Sequence, residues 1–289
     1  MKQILIICLV LLPGVKHCFA QTEPRWKTLP DIPAMSNADT SGLASVNGAR
    51  LYFAVFNKTG KDPVLLLHGG FSSSDDWGFE VPLLATTHQV IVMDTRGHGR
   101  STMDDQLFSY DLFASDVKGL MDLLRVPKVS IVGWSDGGIT GLVMAMKYPA
   151  SIKKLFTYGS NYNKSGEKDE PFDPALAAKF MNRAKENYRK LSPTPDGFDN
   201  LRRRLIKLYS TEPNLDTTAL QRIHLPVVIG CGEYEQFYTR AHFESLSKLI
   251  PGARLAVMPA VSHGGPIQDP MTFHMEVTRL LDNASPREE

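Results

Sequence analysis

Six short apolar runs punctuate the chain: Pro63 to Leu67 (PVLLL), Val90 to Met93 (VIVM), Val129 to Val132, Leu155 to Tyr158, Val227 to Ile229 and Arg254 to Val257. Apolar side chains dominate both faces of each run, which is the pattern of a strand buried on both sides. Between the runs, Leu112 to Leu124, Ile139 to Met146, His242 to Leu249 and Met271 to Leu281 space their apolar residues three and four apart, as amphipathic helices do. Strands alternating with helices predict an α/β fold: a mostly parallel central sheet with helices on both faces. Upstream, Gly42 to Val46 and Leu51 to Phe56 flank Asn47-Gly48, a pair that tolerates the positive φ angles of a tight hairpin turn.

One segment breaks the alternation. Residues 161–218 carry no strand signal but have helical stretches at Pro174 to Leu191 and Phe198 to Leu208, joined by the turn-rich SPTPDG. This segment is expected to be a helical cap inserted between two parts of the core, 42–160 and 219–289. Residues 21–41 hold three prolines and no period, so they are expected to form an extended arm ahead of the domain. The Arg202-Arg203-Arg204 run reads as a solvated helix face.

The first twenty residues differ from the rest. A basic start at Lys2, an apolar stretch from Ile4 to Leu12, and Cys18-Phe19-Ala20 ahead of Gln21 predict a secretory signal peptide cut near Ala20-Gln21. The apolar stretch is well short of the roughly 20 residues that span a bilayer. A secreted or periplasmic protein with no membrane anchor in the mature chain is expected. Of three cysteines, Cys8 and Cys18 fall in the signal, which leaves Cys231 without an intramolecular disulfide partner.

Bulk composition narrows the function by exclusion. With 32 basic and 31 acidic residues the net charge is +1, so no global field draws nucleic acid or an anionic membrane. At 289 residues, 43% of them hydrophobic, the chain suffices for one large α/β domain with an insertion. A small-molecule substrate is the expected partner.

The candidate chemistry sits where strands end. Gly133-Trp134-Ser135-Asp136-Gly137 is a G-x-S-x-G sequence between a strand and a helix, where glycines let the backbone double back and push the serine outward. A serine hydroxyl needs a base, and the base needs an orienting acid. Both follow in chain order: Glu233 and Glu235 lie just beyond the strand ending in Ile229, and His263 lies beyond the strand ending in Val257. Catalytic groups of open α/β sheets collect outside the carboxyl ends of the strands, so Ser135, Glu235 and His263 are expected to converge. The spacing from Gly232 favours Glu235, with Glu233 in reserve. The strand ending in Leu67 runs into His68-Gly69-Gly70-Phe71, a glycine-rich loop able to aim an N–H at a developing oxyanion. The Phe71 and Asp136 amides are the expected oxyanion donors.

Together LLLHGG, DTRGHGRS, GWSDGG, GEYE and SHGG occur in the order of the α/β-hydrolase-fold serine hydrolases, which the chain resembles over roughly residues 42–282 outside the cap. GWSDGGIT followed by a helix ending in KYP is similar to the valacyclovir hydrolase group, whose members act on small carboxylic esters. The resemblance implies an acyl-enzyme mechanism with no organic cofactor and no metal. The family most often has Asp where this chain has Glu235.

Other residues in these motifs have structural explanations. His68, Asp94, Arg96 and His98 fit buried pairs or capping bonds, with an Asp–Arg pair in DTRGHG. No histidine is spaced with Asp, Cys or another His as a metal site requires. Trp77, Phe71, Phe237 and Tyr238 are core or pocket residues near the expected site. Asp136 has two readings: a carboxylate favoured by the helix N-terminus, or a negative charge in the acyl pocket that selects a cationic amine. Ester, lactone, amide or aminopeptide, thioester and carbon–carbon bond hydrolysis share this machinery, and a non-catalytic ligand-binding protein of the same fold is the alternative from another class.

Overall fold

The computed structural model describes residues 23–169 and 173–282. The expected signal peptide, 1–20, and its cleavage site at Gln21 lie outside them. The apolar runs pair into one sheet of β1 (Thr40–Val46), β2 (Ala49–Phe56), β3 (Lys61–Leu67), β4 (His88–Met93), β5 (Val129–Trp134), β6 (Ile152–Tyr158), β7 (Val227–Gly232) and β8 (Arg254–Met258). Its order is β1-β2-β4-β3-β5-β6-β7-β8. The β1/β2 and β2/β4 pairs are antiparallel, and all pairs from β4/β3 to β7/β8 are parallel. Asn47 and Gly48 close the β1/β2 hairpin with φ of 46° and 84°.

Helices of the described residues are α1 (Glu80–Leu84), α2 (Tyr110–Leu123), α3 (Asp136–Lys147), α4 (Pro174–Leu191), α5 (Phe198–Thr211), α6 (Thr217–Gln221), α7 (Arg240–Leu249), α8 (Gly265–Gln268) and α9 (Pro270–Asp282). The short α1, α6 and α8 give too few turns for a periodic signal, which is why the sequence pattern passes over them. Strand side chains divide by parity. Leu65, Leu67 and Ile131 face α2 and α3 through Val117, Leu120 and Leu142, while Val64, Leu66 and Val132 join Val81 of α1 and Phe273 and Val277 of α9 on the other face. Each such buried Leu or Val contributes roughly 1.5–3 kcal/mol of transfer free energy.

Register places the parallel strands' carboxyl ends side by side. Leu67 pairs with Gly133, Trp134 with Tyr158, Tyr158 with Gly230, and Gly232 with Met258. The loops leaving β3, β5, β6, β7 and β8 therefore gather on one edge. Helices α4, α5 and α6 lie between β6 and β7 in sequence, and α4 packs on α5 through Tyr188 and Phe198, whose rings are 5.7 Å apart. Arg202 and Arg203 are exposed on α5, and Arg204 instead donates to the Gln106 carbonyl at 2.8 Å.

Two expectations change. The N-terminal arm is folded down onto the domain: Leu29, Ile32 and Met35 pack against the core, and Arg25–Lys27 form a 3-10 turn. Arg96 does not pair with Asp94. It is fully buried and meets Asp116 at 2.7 and 2.8 Å as well as Asp104, while Asp94 accepts from the backbone N–H groups of Ser74 and Arg100, both at 2.7 Å. Two acids around one buried guanidinium satisfy more of its donors than a single neighbour could.

His242, in the first turn of α7, stacks on Tyr162 with ring centroids 4.5 Å apart and accepts from the Tyr162 N–H at 3.3 Å. Burial pushes its pKa from 6.5 down to about 4. Between those values the unfolded chain binds a proton that the folded chain does not, so this site's stabilisation is complete above the upper value and declines as pH falls toward the lower. We expect the advantage of wild type over His242→Gln in urea midpoint to shrink steadily from pH 7 to pH 4; an advantage independent of pH would contradict this.

Candidate active site

Ser135 occupies the turn between β5 and α3 with φ 53° and ψ −118°, a strained conformation for a residue with a Cβ. Such strain costs on the order of 1–3 kcal/mol and persists only where the surroundings enforce it. Here they do. The Ser135 N–H donates to the Tyr158 carbonyl at 2.8 Å, and its own carbonyl accepts from the Ser160 hydroxyl at 2.8 Å and from the Gly138 and Ile139 amides at 2.9 and 3.0 Å. Gly137 is required by close approach, because a Cβ there would stand 2.0 Å from the Leu67 carbonyl oxygen.

The loop after β3 passes directly over this turn: a Cβ on Gly69 would lie 3.2 Å from the Ser135 Cβ. His68 braces the loop. Its Nε2 accepts from the Thr95 N–H at 3.0 Å, which leaves the proton on Nδ1 to donate to the Gly69 carbonyl at 2.7 Å. Burial holds its pKa down to about 4, so the imidazole stays neutral at ordinary pH. Phe71, three residues on, has φ 63°. Asp136 opens α3, and its N–H is one of the first-turn donors with no intrahelical acceptor. Phe71 and Asp136, from two different elements, border the same cavity as Ser135.

Glu235 follows β7 and is 4% exposed. Its Oε1 accepts from His263 Nδ1 at 2.9 Å and from the Gln236 and Phe237 amides at 2.9 and 3.1 Å. An ionised carboxylate only accepts, so Nδ1 carries the proton of that bond and Nε2 is left as the basic nitrogen. The Trp134 indole N–H donates to the His263 carbonyl at 2.8 Å, and the Phe237 ring meets the imidazole edge-on at 4.6 Å. Beneath the pair lies Gly159, at the end of β6, with φ 64°; a Cβ there would be 2.7 Å from both Cε1 and Nδ1 of His263.

Glu233 does not reach the histidine. It is exposed, and its Oε2 accepts from the Ala260 N–H at 2.9 Å, tying β7 to the turn after β8. The tight turn after Gly232, in which the Glu235 N–H bonds the Gly232 carbonyl, sends Glu235 inward and leaves Glu233 outside.

Ser135, Asp136, Phe71 and His263 border one cavity of about 580 Å³, within the range of small-molecule sites. Phe237 and Tyr238 line it too. Trp77 is instead a core residue, 1% exposed and packed between Trp134 and Phe273. Two tyrosines that the sequence pattern did not single out complete the polar lining: Tyr110 and Tyr209 donate their hydroxyls to Asp136 Oδ1 and Oδ2 at 2.9 and 2.7 Å. Burial pushes the Asp136 pKa up, opposed by these two hydrogen bonds and by His263. Both phenols are held well above their ordinary pKa by burial and by the Asp136 charge, so they remain donors. Tyr110 begins α2 and Tyr209 ends the α5 stripe, positions that read as ordinary helix residues until the helices are docked. Among the described residues no group of His, Cys, Asp and Glu is arranged to hold a metal ion, and no helix is long and apolar enough to cross a membrane.

Comparison with known proteins agrees with this architecture. The family model of the alpha/beta hydrolase fold matches residues 62–198. The human protein named Serine hydrolase BPHL is 31% identical over 80% of this chain and 82% of its own length, and its mouse counterpart is 29% identical over 92% and 91%. Among solved structures, the enol-lactonase from Burkholderia xenovorans LB400 superposes with a TM-score of 0.66 at 22% identity, covering 84% of this chain and all of that one (100%). The fold is that of an α/β-hydrolase enzyme, and the relatives found are named hydrolases. The chain belongs to the α/β-hydrolase family.

Proposed function

We propose that this enzyme hydrolyses small carboxylic esters through a Ser135–His263–Glu235 triad. The observation that carries the reading is the 2.9 Å Glu235–His263 pair, which leaves Nε2 as the free base in the cavity that the strained Ser135 also borders. Ser135 Oγ attacks the ester carbonyl carbon as His263 Nε2 takes its proton. The carbonyl becomes an oxyanion held by the Phe71 and Asp136 amides, His263 returns the proton to the departing alcohol, and water then releases the acyl group by the same steps. Glu235 keeps the imidazole oriented and stabilises its protonated form. Helices α4 and α5 serve as the cap over the substrate.

The buried Asp136 carboxylate favours esters that carry a cationic amine. Its fixed charge sits in a low-dielectric pocket, where a charge-assisted hydrogen bond is worth about 1.5–3 kcal/mol. Asp136→Asn keeps the backbone donor and the side-chain shape. It is expected to lower kcat/KM for an aminoacyl ester about tenfold more than for a neutral ester of the same size; equal losses on both would remove the amine reading.

Export is part of the proposal, supported by the basic start, apolar stretch and small-residue cleavage pattern of residues 1–20. Amino-terminal sequencing of the protein recovered from outside the cytoplasm tests it, with Gln21 as the expected first residue. The function itself is tested by comparing wild type with Ser135→Ala on p-nitrophenyl acetate and butyrate, a lactone and an aminoacyl ester. Turnover of esters that disappears in the variant supports the proposal. Binding without product would favour a ligand-binding protein of the same fold.

A further inference from the structure

The arm of residues 23–39 does more than cover the core. It runs past the two loops that carry Glu235 and His263 and on to α4. Trp26 stacks on Tyr234, the residue before Glu235, with centroids 4.8 Å and planes 8° apart. Gln268 Nε2, five residues after His263, donates to the Trp26 and Thr28 carbonyls at 3.2 and 2.9 Å, and Arg25 pairs with Asp269. On the other side, Arg183 of α4 donates to the Pro30 carbonyl at 2.7 Å. A short strap is therefore fastened to the acid loop, the histidine loop and the cap helix. Between those fastenings Thr28 and Leu29 face the catalytic cavity.

Leu29 joins Leu176, Phe180 and Met181 of α4 and Ile267 of α8 in the cavity's apolar lining. Helix residues of the cap and of α8 are set by their own elements, whereas Leu29 is delivered by a segment with no regular structure, held at both ends. Its side chain is a piece of that wall carried by no helix, and it also packs against the core.

We propose that the strap is a specificity element, and that Leu29 sets how long an apolar group the ester may carry. The inference rests on the serine-esterase reading. The preferred substrates are esters with an apolar group of several carbons laid along Leu29, Phe180 and Ile267. Displacement of water from that lining rewards each added methylene until Leu29 is reached.

The test is the ratio of kcat/KM for p-nitrophenyl octanoate to that for the acetate, measured in the full chain alongside fluorophosphonate labelling of Ser135. Leu29→Trp is expected to lower the ratio about tenfold, and Leu29→Ala to raise it about threefold, one or two methylenes being worth about that much in an apolar pocket. Trp26→Ala, which loosens the strap from outside the cavity, moves the ratio in the same direction as Leu29→Ala. A purely structural role would depress both esters together and leave the ratio where it was in all three variants. With Ser135 labelled, an unmoved ratio, or the same direction for Trp and Ala at Leu29, overturns the strap's role alone. No labelling of folded wild type overturns the esterase reading and this inference with it.

Discussion

Glu235→Gln is expected to lower kcat about 10³- to 10⁴-fold, while Glu233→Gln stays within about twofold of wild type. The asymmetry follows from where each oxygen points. Among the described residues Glu235 Oε1 is the acceptor for His263 Nδ1, and it is itself fixed by two backbone amides. A glutamine that keeps its carbonyl oxygen on the Gln236 and Phe237 amides can still accept from Nδ1, but it deletes the charge that orients the ring and stabilises the imidazolium. Glu233 only accepts from the Ala260 amide, a bond that a glutamine carbonyl can keep. Steady-state kinetics on a p-nitrophenyl ester checks both variants, with circular dichroism to show that they fold. If Glu233→Gln carried the larger loss, the assignment of the acid would be reversed.

Gly159→Ala is expected to cut kcat about 100-fold and to destabilise the fold by about 1–2 kcal/mol. Two separate effects act on one methyl group. The left-handed φ of 64° strains any residue with a Cβ, and that Cβ would lie 2.7 Å from the His263 ring, a contact that only displacement of the imidazole or of β6 can relieve. Moving the ring breaks its bond to Glu235 and shifts it within the cavity that Ser135 also borders. Kinetics and urea unfolding measured on the same preparation separate the two parts. Loss of stability with kcat within about twofold of wild type would show that the histidine is not held from below by this glycine.

Much of this site is readable from local chemistry. A G-x-S-x-G turn, an acid after one strand and a histidine after the next are sequence-local features, because each sits at the end of an apolar run whose burial fixes the sheet. The choice between Glu233 and Glu235 rests on a single turn after Gly232, which brings Glu235, the residue favoured by spacing, inward. What stays hidden is whatever depends on docking. Tyr110 and Tyr209 meet at Asp136 only because α2 and α5 are packed over the same helix N-terminus, and neither has a motif around it. Gly159 follows an apolar strand like many other glycines, and its importance appears only when the His263 ring lies against it. The strap is the clearest case. Three prolines without periodicity give no helix or strand signal, while its 3-10 turn and its path over the Glu235 and His263 loops are set by surfaces far away in sequence.

The proposed function requires Ser135 to be an activated nucleophile. The most direct measurement is to label folded wild type and Ser135→Ala with a fluorophosphonate and to map the adduct by peptide mass spectrometry. A single adduct on Ser135 that is absent from the variant is the predicted result. An unlabelled wild type, or an adduct on another residue that persists in Ser135→Ala, would contradict it.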